Sequence, residues 1–86
     1  MQLALDQPRL LPIVQAAYVV AVESGNRFSG SAVLTSVDQP GVRNLSVLSR
    51  RDIVVKTGVA RGGNMVYYAF PDLAGTAQAL RELHLL

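Results

Sequence analysis

Five of the chain's eight lysines and arginines, namely Arg43, Arg50, Arg51, Lys56 and Arg61, fall within one stretch that contains a single acid, Asp52. A guanidinium is always charged and presents five donors in a planar fork, so it suits the paired acceptors of a phosphate or of a base edge. Lysine adds a compact point charge. Asn44, Ser46, Val47 and Ser49 are interleaved with the first arginines, so hydrogen-bonding and apolar contacts are available beside the charge. The chemistry offered is recognition of a polyanion that also carries readable edges.

Other chemistries find no support. The six acids are spread singly along the chain, cysteine is absent and His84 stands alone near the end. Neither a nucleophile with its base nor a carboxylate pair can be assembled, so no enzymatic activity is expected. A lone histidine without a second ligand gives no metal site. The glycines of "ARGGN" are followed by neither the Lys-Ser/Thr pair nor the helix of a phosphate-binding loop, so they read as turn residues. No cofactor and no small-molecule ligand are expected, because most apolar side chains are needed for the core.

The elements that position these residues belong to a chain of 86 residues, half of them hydrophobic, with a net charge of +2. That length implies a single domain spanning residues 1–86, with an N-terminal arm over 1–9, a core over 10–70 and a terminal helix over 71–86. The longest apolar run, Leu10 to Val22, contains Gln15 and is well short of the ~20 residues that cross a bilayer. "MQLALDQPR" lacks the pattern of an export leader, so a cytoplasmic location is the default expectation.

The first helix is expected to begin between Pro8 and Pro12 and to run to about Glu23, with "SGN" as its stop and contacts on most sides. Phe28 and Ser29 read as a staple and N-cap for a short helix to about Ser36 that buries Ala32, Val33 and Val37. Pro40 restarts a third helix, capped by Asp38 or Gln39. Its Val42, Leu45 and Leu48 face the core, while Arg43, Ser46, Val47 and Arg50 share another face. After Arg51 the period changes to two. Ile53 and Val55 are expected on one side, with Val54 and Lys56 on the other, and "NMVYYAF" turns Val66, Tyr68 and Phe70 inward and Met65 and Tyr67 outward. Gly58, Gly62, Gly63 and Asn64 supply the turn of a β-hairpin. Asp72 caps a terminal helix whose Leu73, Ala77 and Leu80 form a stripe, which Leu83 and Leu86 extend.

The stretches "SAVLTSVDQPGVRNLSVLSRRDIVVKTG" and "GGNMVYYAF" carry a resemblance, from about residue 10 onward, to the winged helix-turn-helix family. The resemblance implies an α+β fold with a three-helix core, a two-stranded hairpin wing and a C-terminal helix. It also implies double-stranded DNA as partner, with the helix from Pro40 to Arg51 in the major groove and the wing near Arg61 on the backbone. On that reading Arg43 and Arg50 address guanine edges, Asn44 addresses adenine, and Val47 meets a thymine methyl; Ser46 can serve bases or phosphates. Ser49, Arg51, Lys56 and Arg61 suit the backbone. Leu73, Ala77, Leu80, Leu83 and Leu86 of the terminal helix are expected at a homodimer interface, with the first helix as an optional contributor, and a sequence-specific transcriptional regulator is the function this describes.

Plainer readings stand beside these. Arg51 can equally cap its helix's last carbonyls, and Lys56 can guard a strand edge. The same fold can also serve as an architectural DNA-binding factor, or as a protein–protein module in which the basic face is incidental.

Overall fold

A computed structural model describes residues 5, 7–37, 44–60, 62 and 65–86. Proline sets its first element. Pro8–Leu10 form a 3-10 turn that leads into helix α1, Leu11–Ser24, with Pro12 in the first turn, where a missing amide costs nothing. Gly25, at φ 73°, ends α1 in the left-handed conformation. The Asn26 amide then donates to the Ala21 carbonyl at 2.7 Å, which satisfies a carbonyl of the last turn. Ile13, Val14, Ala17 and Ala21 are buried and Leu11, Ala16, Tyr18 and Val20 are packed partly against the core, so α1 is contacted on most sides as expected; Val19 and Val22, 46% and 54% exposed, leave one strip of it open.

Ser29 caps helix α2, Gly30–Leu34, by accepting from the Ala32 amide at 3.2 Å. Val33 is buried as expected, whereas Val37 is only half-buried and Ala32 is exposed, because the short helix turns only one edge to the core. Phe28–Ser29 also form a strand, β1, ahead of that cap. After the third helix, α3 (Ser46–Ser49), come strands β2 (Val55–Val59) and β3 (Val66–Ala69) and helix α4 (Leu73–Glu82). The described residues thus make an α+β fold of four α-helices and a three-stranded antiparallel sheet in the order β1-β3-β2. The expected hairpin is present, with β1 added on its far side. The third helix begins only at Ser46, since Asn44 and Leu45 before it are not helical, so the expected helix from Pro40 to Arg51 is not found over its described part beyond Ser46–Ser49. Asp38, Gln39, Pro40, Val42, Arg43, Arg61, Gly63 and Asn64 lie outside the described residues.

Register sets which side chains enter the core. Phe28 pairs with Tyr68 and Ser29 with Tyr67, so Phe28 and Tyr68 point inward together. Phe70 joins them, its ring 5.5 Å from that of Phe28. Met65 is exposed and Tyr67 half-buried on the outer side, in line with the period-two pattern. Between β2 and β3 the register slips at Lys56/Gly58, which makes Thr57 the extra residue of a bulge on an edge strand.

Ile53 and Val54 are both buried while no residue of β2 is, so the expected alternation of Ile53 and Val55 against Val54 and Lys56 is not found. The end of α3 explains the difference. Asp52 adopts φ 58°, its amide donates to Ser49 and the Ile53 amide donates to Leu48 at 3.1 Å, a Schellman stop that folds Ile53 back onto Leu48. Helix α4 ends the same way. His84 sits at φ 59° and the Leu85 amide donates to the Leu80 carbonyl at 2.8 Å. At its other end the Asp72 carboxylate accepts from the Gly75 amide at 2.9 Å, the cap read from the sequence.

A side-chain amide ties α1 to the sheet. Asn26 Nδ2 donates to the Phe70 carbonyl and Asn26 Oδ1 accepts from the Phe70 amide, both at 2.9 Å. This pair of bonds continues the β1–β3 ladder by one rung. It satisfies both backbone groups of Phe70 at the point where β3 leaves the sheet.

Candidate nucleic-acid interface

Helix α3 owes its position to two leucines. Leu45, just ahead of the helix, and Leu48 within it are fully buried in the core cluster, each contributing about 1.5–3 kcal/mol of apolar burial, with Leu45 beside Gly30. Asn44 Oδ1 accepts from the Ser46 amide at 2.9 Å and so starts the helix from the solvent side. The opposite face is left with Ser46, Val47 and Ser49, all half-buried, and with Arg50, which is exposed.

The expected base-reading residues therefore separate. Arg50 is free to reach outward, and Ser46 lies beside it on the accessible face. Val47 packs partly against the core, which leaves only its outer surface for an apolar contact. Asn44 is exposed, but its carbonyl oxygen already accepts from the Ser46 amide. Bidentate pairing with adenine needs that oxygen as well as the NH2 group, so the role expected for Asn44 conflicts with the turn its side chain closes ahead of the helix. Arg43 lies outside the described residues.

Among the backbone candidates, Lys56 is exposed on β2 opposite Tyr68, while Ser49 and Arg51 are half-buried. Lys56 also lies at the bulge on the sheet edge, where a charge discourages strand pairing. The Ala60 amide donates to the Met65 carbonyl at 2.7 Å and extends the pairing toward a tip that holds Gly62 at φ 98°. Arg61 lies outside the described residues.

Arg27 has a partner that the sequence pattern does not show. The Arg27 guanidinium carbon sits 4.6 Å from the centroid of the Tyr67 ring on the outer face of the sheet, a cation–π contact. Its signal was an arginine next to "FS". It could not be read without knowing that those two residues form a strand beside Tyr67.

The residues expected at a dimer interface also divide. Ala77 and Leu80 are 5% and 0% exposed, because their stripe is the face by which α4 packs on the chain's own core. They have no surface to offer a second copy. Leu73 is half-buried, and only Leu83 and Leu86 are exposed. Along α1, a groove of about 650 Å³ runs toward the end of α2, lined by Pro12, Gln15, Ala16, Val19, Val20 and Val37 with Glu23 at its rim.

Among the described residues no cluster of three His, Asp or Glu is placed to hold a metal ion, and no helix is long and apolar enough to cross a membrane. No protein-family model matches the chain, and neither a curated protein nor a solved structure matches it.

Proposed function

We propose that this chain is a small winged-helix DNA-binding protein, a cytoplasmic regulator that reads duplex sequence with its third helix and steadies itself on the backbone with the β2–β3 hairpin. The observation that carries this reading is the coupling of α3 to the hairpin. A helix anchored by two fully buried leucines turns Arg50 to solvent, stops at Asp52 and feeds at once into an antiparallel hairpin with Lys56 on its surface. An exposed arginine directly after a helix seated by buried leucines, next to a hairpin that carries a lysine, suits contact with the groove and backbone of a duplex.

In this reading Arg50 supplies bidentate donors to a guanine edge and Ser46 a smaller contact beside it. Arg43 and Arg61 are assigned from the sequence alone, the first to bases and the second to phosphates near the hairpin tip. Lys56, Ser49 and Arg51 bear on the backbone, where contacts supply affinity and register but not sequence. The chain acts as a homodimer, which would match a two-fold symmetric site.

The test is retention of a random-sequence duplex pool at two salt concentrations, followed by sequencing of what is kept. Binding that weakens steeply with salt and enriches a symmetric site supports a dimeric sequence reader. Salt-sensitive binding without enrichment points to an architectural role. No binding at low salt removes the DNA reading and leaves a protein–protein module, for which the exposed valines of α1 are the motivating observation.

A further inference from the structure

Helix α1 contains more apolar surface than its own core can cover. Apart from Gln15, Tyr18, Glu23 and Ser24, every residue from Leu11 to Ser24 is aliphatic, alanine or proline. A helix that is apolar all round is a helix covered all round. One side meets the core through Ile13, Val14, Ala17 and Ala21. The other carries exposed Pro12, half-buried Ala16, Val19 at 46% exposure and exposed Glu23, a stripe at spacings of four, three and four. Isolated surface valines need no explanation, but a stripe spanning the whole helix beside a groove does.

We propose that this stripe pairs with the same stripe of a second copy, the two α1 helices running antiparallel about a two-fold axis at Ala16. The small side chain at the centre allows helix axes to approach to the usual 8–10 Å. Charge fixes the direction. Arg9 and Glu23, both exposed, lie seven residues to either side of Ala16. Antiparallel pairing about that residue sets each Arg9 opposite Glu23 of the partner subunit, and two-fold symmetry makes the contact twice. A parallel arrangement would instead set like charges together at both ends.

The surface beside the stripe continues it. Gln15 Nε2 donates to the Leu85 carbonyl at 2.6 Å, which holds the tail of α4 against α1 with Leu86 51% exposed. On the other flank the groove toward Val37 has room for side chains of the partner, Val19 foremost. The fourteen residues of α1 span only about 21 Å, so the contact is at the small end of specific interfaces. Its dissociation constant is accordingly expected in the micromolar range. The pairing does not depend on the DNA reading, and its test uses no DNA.

That test is analytical ultracentrifugation of the full chain across the micromolar range, with helical circular dichroism as the check on folding. The wild type is expected to pass from monomer to dimer as concentration rises. Val19→Glu should raise the dissociation constant about tenfold or more, since it buries a carboxylate at the seam. Arg9→Glu and Glu23→Arg should each weaken pairing about three- to tenfold, and the two together should restore it, because the pairs reform with signs exchanged. These charge variants decide the question even if Val19→Glu fails to fold. A wild type that stays monomeric throughout overturns the proposal and leaves the stripe to a different protein. A dimer that survives Val19→Glu, or charge variants whose combination does not recover, overturns this face and register.

Discussion

The paired bonds between Asn26 and Phe70 make a quantitative prediction. Asn26 does two things at once: its side chain completes the ladder with Phe70, and its backbone holds φ 63°. Asn26→Gly removes the first and keeps the second. Two hydrogen bonds of about 0.5–1.5 kcal/mol each are lost, and the Phe70 backbone groups are left to find water at a half-buried site, so about 2 kcal/mol of destabilisation is expected. Asn26→Ala loses the same bonds and adds the left-handed backbone penalty of about 1 kcal/mol, for a total near 3 kcal/mol. A domain of this length holds roughly 4–13 kcal/mol in all, so either change is a large fraction. Thermal and urea unfolding followed by circular dichroism would read these as drops in Tm of about 8–16 °C for glycine and a further 4–8 °C for alanine. A glycine variant within about 0.5 kcal/mol of the wild type would refute the ladder-completing role, since that is the spread of an ordinary surface substitution. Equal stability of the two variants would refute the backbone part alone.

Three further outcomes follow from the same geometry. Asp52→Gly should stabilise the chain by about 1 kcal/mol, because glycine occupies the left-handed stop of α3 without strain; a urea midpoint that falls would contradict this. Gly75→Ala should leave stability nearly unchanged although alanine favours helix, since a Cβ there would meet the Asp72 carboxylate and displace the cap; a gain of a full ~1 kcal/mol in chemical denaturation would show the cap to be dispensable. Arg50→Ala should weaken an enriched DNA site by about 1–3 kcal/mol and random duplex far less, as read by fluorescence anisotropy, and equal losses on both would remove Arg50 from base reading.

What could be read from the residues alone was what local rules govern. The proline entry of α1, its "SGN" exit, the Ser29 and Asp72 caps and the alternation of "NMVYYAF" each rest on a few neighbouring residues, and each is found. Strand β1 was hidden because its two residues acquire strand character only from Tyr67 and Tyr68, some forty residues away. The Ile53–Val54 pair was misassigned because the stop after α3 folds Ile53 inward, and that stop uses aspartate where glycine would have advertised it. At the candidate site, the exposure of Arg50 and Lys56 followed from charge and periodicity. The bond from the Ser46 amide to the Asn44 side chain did not, since an asparagine near a helix start can address its own backbone or a ligand with the same atoms.

The place of β3 in the middle of the sheet also orders events in time. Its contact with β2 joins near neighbours and can form as an isolated hairpin in about 1–10 μs. Its contact with β1, together with the Asn26 bonds, joins residues 44 apart and encloses α2 and α3 in a single loop, whose closure costs about 3 kcal/mol of chain entropy beyond any constant term. Helix α3 lies inside that loop, and Leu45 and Leu48 meet their full core, which draws on residues from both sides of it, only once the loop has shut. The exposed Arg50 that follows α3 is therefore carried by a part of the chain whose seat is completed by the sheet.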